Sequence, residues 1–276
     1  MQLLVIIKKF NSFLQTHFSE IIPCQAKLSQ AMNIRLKFNH LLNLTQFSIS
    51  KILPRNRLTT QCLLCASNQG GDLGICSDCM RDLPWHIKPQ CSLCGLICHG
   101  TICGACLNAT LNFDATTALF AYDYPIDKLI QHYKYKEMLH LSRTFGLLLS
   151  TKLASQTQNI DAIVPMPMHH TRLKERGFNQ ALEVARFVAI NLQIPLSHNA
   201  CQRIKHTPPQ ASLPFKARIQ NIRGVFECSE SLQGKRIAII DDVMTTGASL
   251  NELAKTLKKA GAAQVECWII ARTLEK

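Results

Sequence analysis

The 276 residues carry 47% hydrophobic side chains and a formal net charge of +13, enough apolar matter for a full core with room for a small appended module. No apolar run reaches the roughly 20 residues of a membrane helix, and the apolar start Met1–Ile7 is followed, not preceded, by Lys8 and Lys9, the wrong order for a secretory leader. That pattern predicts a cytoplasmic chain without a membrane span, and its basic balance suits a polyanion, nucleic acid or a phosphorylated substrate, with plain solubility as the bland alternative.

Residues 1–61 hold eight Lys/Arg against Glu20 alone. Two readings stand for this basic extension. Either the chain truly starts at Met32, or the stretch is a flexible arm with a helix around Phe10–Ile22.

Residues 62–110 read as a double zinc-ribbon module. Thirteen cysteines would signal disulfides in a short secreted chain, but eight fall in Cys-x-x-Cys pairs, the spacing of metal ligands in a reducing compartment. Cys62 and Cys65 with Cys76 and Cys79 form one unit; Cys91 and Cys94 with Cys103 and Cys106 form the second. Each knuckle presents two thiolates, and two knuckles complete a tetrahedral sulfur shell, giving two structural zinc ions. A crossed pairing of knuckles uses the same ligands and stays open. Cys98 and His99 read as loop residues, and Leu83, Pro84 and Trp85 are placed to pack between the units. Cys24, Cys201, Cys228 and Cys267 fall outside the pairs and read as small apolar packing residues.

Residues 111–276 alternate strands and helices. Strands are predicted at Thr116–Tyr124, Ile160–Pro165, Arg236–Ile240 and Val265–Ala271. Helices are predicted at Ile126–Tyr135, Leu141–Ala154, Phe178–Leu192 (Ala181, Val184, Ala185 and Val188 on one face) and Gly247–Ala260 (Leu250, Leu253, Ala254 and Leu257 inward). Such alternation means an α/β fold with a mostly parallel sheet covered on both faces.

The chemistry concentrates after the third strand. Asp241 and Asp242 end it, and Thr245, Thr246, Gly247, Ala248 and Ser249 open the next helix. Ligands of open parallel sheets sit at the carboxyl ends of strands. Two carboxylates there accept hydrogen bonds from a sugar diol, while backbone N–H groups, hydroxyls and a helix N-terminus cradle a phosphate. The segment is thus shaped for a ribose 5-phosphate. A Walker-B strand also ends in acids, but it needs a Gly-x-x-x-x-Gly-Lys-Ser/Thr loop that this chain lacks. Two acids that merely cap a helix are the other alternative. A second cluster is Val164-Pro165-Met166-Pro167, whose two prolines set a rigid extended turn, followed by Arg172, Lys174, Arg176, Gly177, Phe178, Asn179 and Gln180, which set positive charge at the rim; a solvated basic turn before a helix is the alternative.

The acidic pair and loop resemble the signature of type I phosphoribosyltransferases. By that resemblance Asp241 and Asp242 hold the ribose hydroxyls of phosphoribosyl pyrophosphate, residues Thr245 to Ser249 hold its 5-phosphate, and magnesium accompanies the pyrophosphate. The knuckles, the Pro-x-Pro turn running into Arg176-Gly177-Phe178-Asn179-Gln180, and Asp241-Asp242-Val243-x-Thr245-Thr246-Gly247 are together similar to the ComF family of competence-associated proteins, with GntX-like members. The likeness runs from about Cys62 to Thr273. It includes the helix with Leu129, Ile130, Tyr133, Lys134 and Tyr135, and the stretch Arg203, Thr207, Gln210, Leu213, Arg218, Asn221, Phe226 in the place of the flexible catalytic loop.

The resemblance implies two functions. In one, the chain binds phosphoribosyl pyrophosphate or a ribose 5-phosphate ligand and handles transforming single-stranded DNA in the cytoplasm, alongside a competence helicase or DNA-processing proteins. Phe178, Phe215 and Phe226 would stack bases there if they are not core. In the other, the chain is an active phosphoribosyltransferase with an unidentified acceptor. Asp241, Asp242 and Arg176 are then its catalytic groups, and Arg203 and Lys205 help the pyrophosphate leave.

Overall fold

The computed structural model describes residues 60–135, 138–154, 160–207 and 222–274. The predicted arm at Phe10–Ile22, the start at Met32, Cys24, and the positions Gln210, Leu213, Phe215, Arg218 and Asn221 lie outside them. The described residues fall within one compact unit, Thr59–Lys276.

The chain enters through the cysteine units, which contain the short helices α1 (Ser77–Arg81) and α2 (Gly104–Leu107). Strand β1 (Ala115–Ala121), helices α3 (Ile126–Tyr135) and α4 (His140–Leu153), and β2 (Ala162–Pro165) follow. Next come α5 (His170–Arg176), α6 (Gln180–Leu192), and a small hairpin of β3 (Cys201–Arg203) and β4 (Phe226–Cys228). The series closes with β5 (Arg236–Met244), α7 (Ala248–Lys259) and β6 (Gln264–Arg272).

The main sheet is parallel throughout, in the order β1-β6-β5-β2. Successive side chains of a strand face opposite ways, and the sheet splits two cores accordingly. Ile237 and Ile239 of β5 pack with Leu250, Leu253 and Leu257 of α7. Ala238 and Ile240 pack with Leu129 and Ile130 of α3, Phe145 and Leu149 of α4, and Val184 and Val188 of α6. Both faces are buried, which is why β5 reads as a near-continuous apolar run. Gly146 sets the approach of α4 to α6, since a Cβ there would lie 2.5 Å from Phe187 Cβ.

Three expectations change. The basic segment after the prolines is a helix, α5, not a solvated turn. His169 caps it by accepting from Thr171 N at 3.3 Å, and Gly177, at φ 82°, ends it in the left-handed region. Its polar composition hid it, because a seven-residue helix with no buried side chain shows no apolar period. Strand β5 runs through both acids to Met244 instead of stopping at Ile240. Pro84 and Trp85 lie against the sheet edge as well as the first cysteine unit, where Trp85 Nε1 donates to Met80 O at 2.8 Å, and Leu83 joins the core that holds Cys62 and Cys76. Trp85 lies 4.7 Å from Phe120 of β1, and Pro84 O accepts from Ala121 N at 2.8 Å.

The cysteine units dock along that β1 edge. Cys62 and Cys76 join the core on the α4 face, and Cys91, Cys94 and Cys106 join the core on the α7 face. Thr144 of α4 donates to Leu73 O at 2.7 Å, and Thr116 N of β1 donates to Ser92 O at 3.0 Å. Lys152 ties the linker to β1 by donating to His86 O at 2.8 Å and Ala118 O at 2.7 Å.

Candidate functional site

The carboxyl ends of β5 and β2 open into a cleft of about 230 Å³. Asp241 and Asp242 form its floor, and Lys134, Arg172, Arg176 and Arg203 stand in its walls. Alternation along β5 sends the two acids to opposite faces, so their surroundings differ. Asp242 is 4% exposed, and Lys134 Nζ lies 2.9 Å from its Oδ2. Burial works against the Lys134 charge, but Asp242 outweighs it and raises the lysine's pKa. Among the described residues Asp241 has no such cationic partner. Burial and the neighbouring Asp242 push its carboxyl up to about 7, against the pull of its hydrogen bond from Asp242 N and of the Lys134 and Arg203 charges. Near neutral pH this carboxyl is poised between acid and base.

The Arg176-Gly177-Phe178-Asn179-Gln180 segment acquires a residue-by-residue reason. Arg176 ends α5 and donates to Gln180 Oε1 at 2.7 Å, lying 5.2 Å from the Tyr135 ring centroid. Gly177 turns the chain, and Phe178 packs 5.7 Å from the Tyr133 ring. Asn179 caps α6, its Oδ1 accepting from Ala181 N at 3.0 Å and Leu182 N at 3.4 Å. Its Nδ2 donates to Met166 O at 3.1 Å, which pins the Pro-x-Pro turn to the helix start.

On the far side of Asp241 a smaller hollow of about 30 Å³ is lined by residues 243–250. Gly247 sits there at φ 78° as the N-cap of α7, and Thr246 Oγ1 accepts from Ala248 N at 3.3 Å. A left-handed glycine before a helix turns backbone N–H groups toward one point, the geometry of an anion nest. Asp241 and Ser249 border both hollows.

Thus the cleft brings together Asp241, Asp242, Arg172 and Arg176, with Thr245, Thr246, Gly247, Ala248 and Ser249 in the adjoining nest. Lys174 and Lys205 do not line it. Phe226 is 6% exposed and offers no face to a base, while Phe178 is half-buried against Tyr133. Three groups escaped notice as site members. Lys134 follows the buried positions Ile126, Leu129, Ile130 and Tyr133 on α3; helical periodicity puts it one turn after Ile130, at the edge of the buried face. His169 and His206 lie with ring centroids 5.2 Å apart. Burial, His170, His206 and the Arg203 and Arg172 charges lower the His169 pKa.

The third group is Arg272, the last residue of β6 and 4% exposed. Its Nε donates to Cys94 O at 2.7 Å, and its Nη1 to Met244 O at 3.0 Å, Thr273 O at 2.9 Å and Thr245 O. One guanidinium therefore holds a cysteine knuckle and the first residue of the nest together.

The eight knuckle cysteines gather in sequential pairs of knuckles, not crossed ones. The sulfurs of Cys62, Cys65, Cys76 and Cys79 lie within 4.8 Å of one another, as do those of Cys91, Cys94, Cys103 and Cys106. Cys65–Cys76 and Cys94–Cys103 approach to 3.6 Å, close to the edge of about 3.8 Å of a tetrahedron with zinc–sulfur bonds of about 2.3 Å. Burial pushes the Cys62 thiol up, but backbone N–H groups of Cys76, Cys65 and Leu64 outweigh it and bring the pKa down to about 6. Cys91 is likewise held at about 6, against burial, by backbone N–H groups of Cys94, Cys103 and Leu93. Both clusters can hold zinc. Cys98 stays outside, donating to Gly100 O at 2.9 Å.

Residues 179–276 match a phosphoribosyl transferase domain. Competence protein F of Haemophilus influenzae is 33% identical over 228 residues, 79% of this chain and 99% of its own. The DNA utilization protein YhgH of Escherichia coli is 31% identical over 211 residues, 74% of this chain and 92% of its own. Competence protein ComFC of Streptococcus pneumoniae is 27% identical over 226 residues, 78% of this chain and 94% of its own. With such identity spanning nearly the whole Haemophilus protein, the chain belongs to the ComF family of competence-associated proteins with a phosphoribosyltransferase-type α/β domain.

Proposed function

We propose that the cleft binds phosphoribosyl pyrophosphate, or a ribose 5-phosphate ligand, and that the chain acts in natural competence by handling transforming single-stranded DNA in the cytoplasm. One observation carries the ligand: Asp241 stands between two anion-binding hollows, the nest of Thr245 to Ser249 on one side and the cationic wall of Arg172, Arg176 and Arg203 on the other. A ligand with a phosphate at one end, a diol in the middle and a pyrophosphate at the other end matches that order. Magnesium would arrive on the pyrophosphate oxygens, since it favours phosphate and carboxylate oxygen over a dedicated protein cage. Two zinc ions, one per cysteine cluster, hold the knuckle units.

The DNA role rests on the names of the relatives and on charge. A basic surface releases counterions on binding a phosphate backbone, so affinity falls steeply with salt. Tyr135, 74% exposed beside Arg176, is a better stacking surface than the buried Phe226. No helix among the described residues is long and apolar enough to cross a membrane; a competence helicase or DNA-processing protein is the partner this role implies.

Calorimetry with phosphoribosyl pyrophosphate and magnesium tests the ligand, and absence of heat at millimolar ligand refutes it. Pyrophosphate release on adding base acceptors would establish the transferase reading, which the shared cleft of Asp241, Asp242 and Arg176 favours. Titration of labelled single- and double-stranded oligonucleotides at two salt concentrations tests the DNA role, and equal weak binding of both refutes it.

A further inference from the structure

We propose that Cys201 and Cys228 are a thiol–disulfide pair: a reversible cross-strand link that a low-molecular-weight disulfide such as oxidised glutathione closes between β3 and β4.

The strand register carries the inference. In the antiparallel hairpin Cys201 stands directly opposite Cys228, and Arg203 opposite Phe226. Ile204 N donates to Val225 O at 2.8 Å and Ser229 N to Ala200 O at 3.0 Å. These bonds mark the pairs 204/225 and 200/229 as the hydrogen-bonded ones, and hydrogen-bonded and non-hydrogen-bonded pairs alternate along an antiparallel ladder. Cys201 and Cys228 therefore form a non-hydrogen-bonded pair, whose Cα atoms approach to about 4.5 Å. A disulfide accepts Cα separations of about 4.4–6.8 Å, so the pair meets the requirement without moving the backbone. The two side chains share a face, the one that also carries Arg203 and Phe226, because residues two apart in a strand point the same way. Among the described residues the other thiols are placed otherwise: the eight knuckle cysteines face their own clusters, Cys98 donates to Gly100 O, and Cys267 is fully buried in the central strand β6.

The unequal exposure of the two thiols assigns their roles. Cys201 is 3% exposed, whereas Cys228 is half-buried with its Sγ toward Glu230 O at 3.6 Å. Burial and the adjacent Cys228 push the Cys201 thiol up, which makes it a poor first nucleophile. Cys228 therefore attacks as a thiolate. It forms a sulfur–sulfur bond to one half of oxidised glutathione, and the other half leaves as a thiolate. Cys201, giving up its proton, then attacks Cys228 Sγ and expels the second glutathione thiolate. Two protein thiols are oxidised, one glutathione disulfide is reduced to two thiols, and the two protons end on them. The link would fasten the two strands that hold Arg203 at the cleft wall.

The chain makes a direct test available. Trypsin releases residues 187–203 and 224–235, each with one cysteine. The full-length protein is equilibrated in glutathione buffers of increasing oxidised fraction, free thiols are alkylated, and the digest is read by mass spectrometry with zinc measured alongside. The expected product is 187–203 joined to 224–235, reverting in reduced glutathione, with the knuckle cysteines alkylated and unlinked on peptides 58–81 and 82–128 and zinc content unchanged. Cys201→Ala should instead accumulate glutathione on 224–235, because no resolving thiol faces it. Wild-type protein that stops at glutathionylated Cys228, or that joins either peptide to a knuckle cysteine, or that links only after losing zinc, overturns the proposal.

Discussion

Replacing Arg272 with Met should damage the Thr245–Ser249 loop and the second cysteine cluster together. Arg272 donates to the carbonyls of Cys94, Met244, Thr245 and Thr273 from a site only 4% exposed. A hydrogen bond from a charged donor contributes about 1.5–3 kcal/mol. Counting the knuckle, the β5 end and the β6 end as three grips gives roughly 4.5–9 kcal/mol gross. The bonds share one side chain and are not additive, and removing the guanidinium also removes the cost of burying it. The net loss should be about 3–5 kcal/mol, the range for taking one partner from a buried charged cluster. At about 2–4 °C per kcal/mol for a chain of this size, Tm should fall by roughly 6–20 °C. Thermal melts at pH 7.5 read the stability. A chelator assay should show faster zinc release from the Cys91–Cys106 cluster, and calorimetry should show weaker phosphoribosyl-pyrophosphate binding. Arg272→Lys keeps the charge but lacks the planar fork, and should lie between the two. A Tm within about 1 °C of wild type, or a fall in Tm with zinc release and ligand affinity both unchanged, would refute the reasoning.

Metal analysis should find two zinc ions per chain, with Cys62→Ser and Cys106→Ser each losing one, because four sulfurs serve each cluster; zinc-free protein from a fresh preparation would contradict this. Lys134→Met should cost about 3–5 kcal/mol by leaving buried Asp242 without its cation, and adding Asp242→Asn should recover part of that loss in a double-mutant cycle. Asp241 has a folded pKa of about 7, above its unfolded value of about 3.9, so the native state holds the proton more tightly and stability falls as pH rises from about 4 to about 7. Asp241→Asn should therefore gain Tm relative to wild type at pH 8 but not at pH 3.5, and a difference independent of pH would show that the carboxyl is not shifted. Gly247→Val places a branched side chain at φ 78° with its Cβ 2.7 Å from Met244 Cε. It should weaken phosphoribosyl-pyrophosphate binding more than Asp242→Asn does, as calorimetry would report.

What the sequence disclosed follows from how locally each feature is encoded. The parallel sheet was readable because β5 and β6 are buried on both faces and must be apolar throughout, while α7 buries Leu250, Leu253, Ala254 and Leu257 at helical spacing. The knuckle ligands were readable because two thiolates on one turn require a fixed Cys-x-x-Cys interval. Which knuckles share a cluster was not, since the paired and crossed solutions use the same residues. α5 escaped because its helical form depends on the His169 cap and Gly177, not on an apolar face. The cleft wall was only half legible, because its cations come from α3, α5 and β3 and meet through tertiary packing. Arg172 and Arg176 stood beside a recognisable turn, whereas Lys134 acts on Asp242 from a helix more than 100 residues earlier. Arg272 is the extreme case. As a terminal basic residue of a strand it looks like a solvated end, yet parallel register sets it opposite Met244, at the point where β5 runs into the Thr245–Ser249 loop. A charge buried there is tolerable only if every direction it faces offers a carbonyl, and the cysteine knuckle supplies the one the sheet cannot.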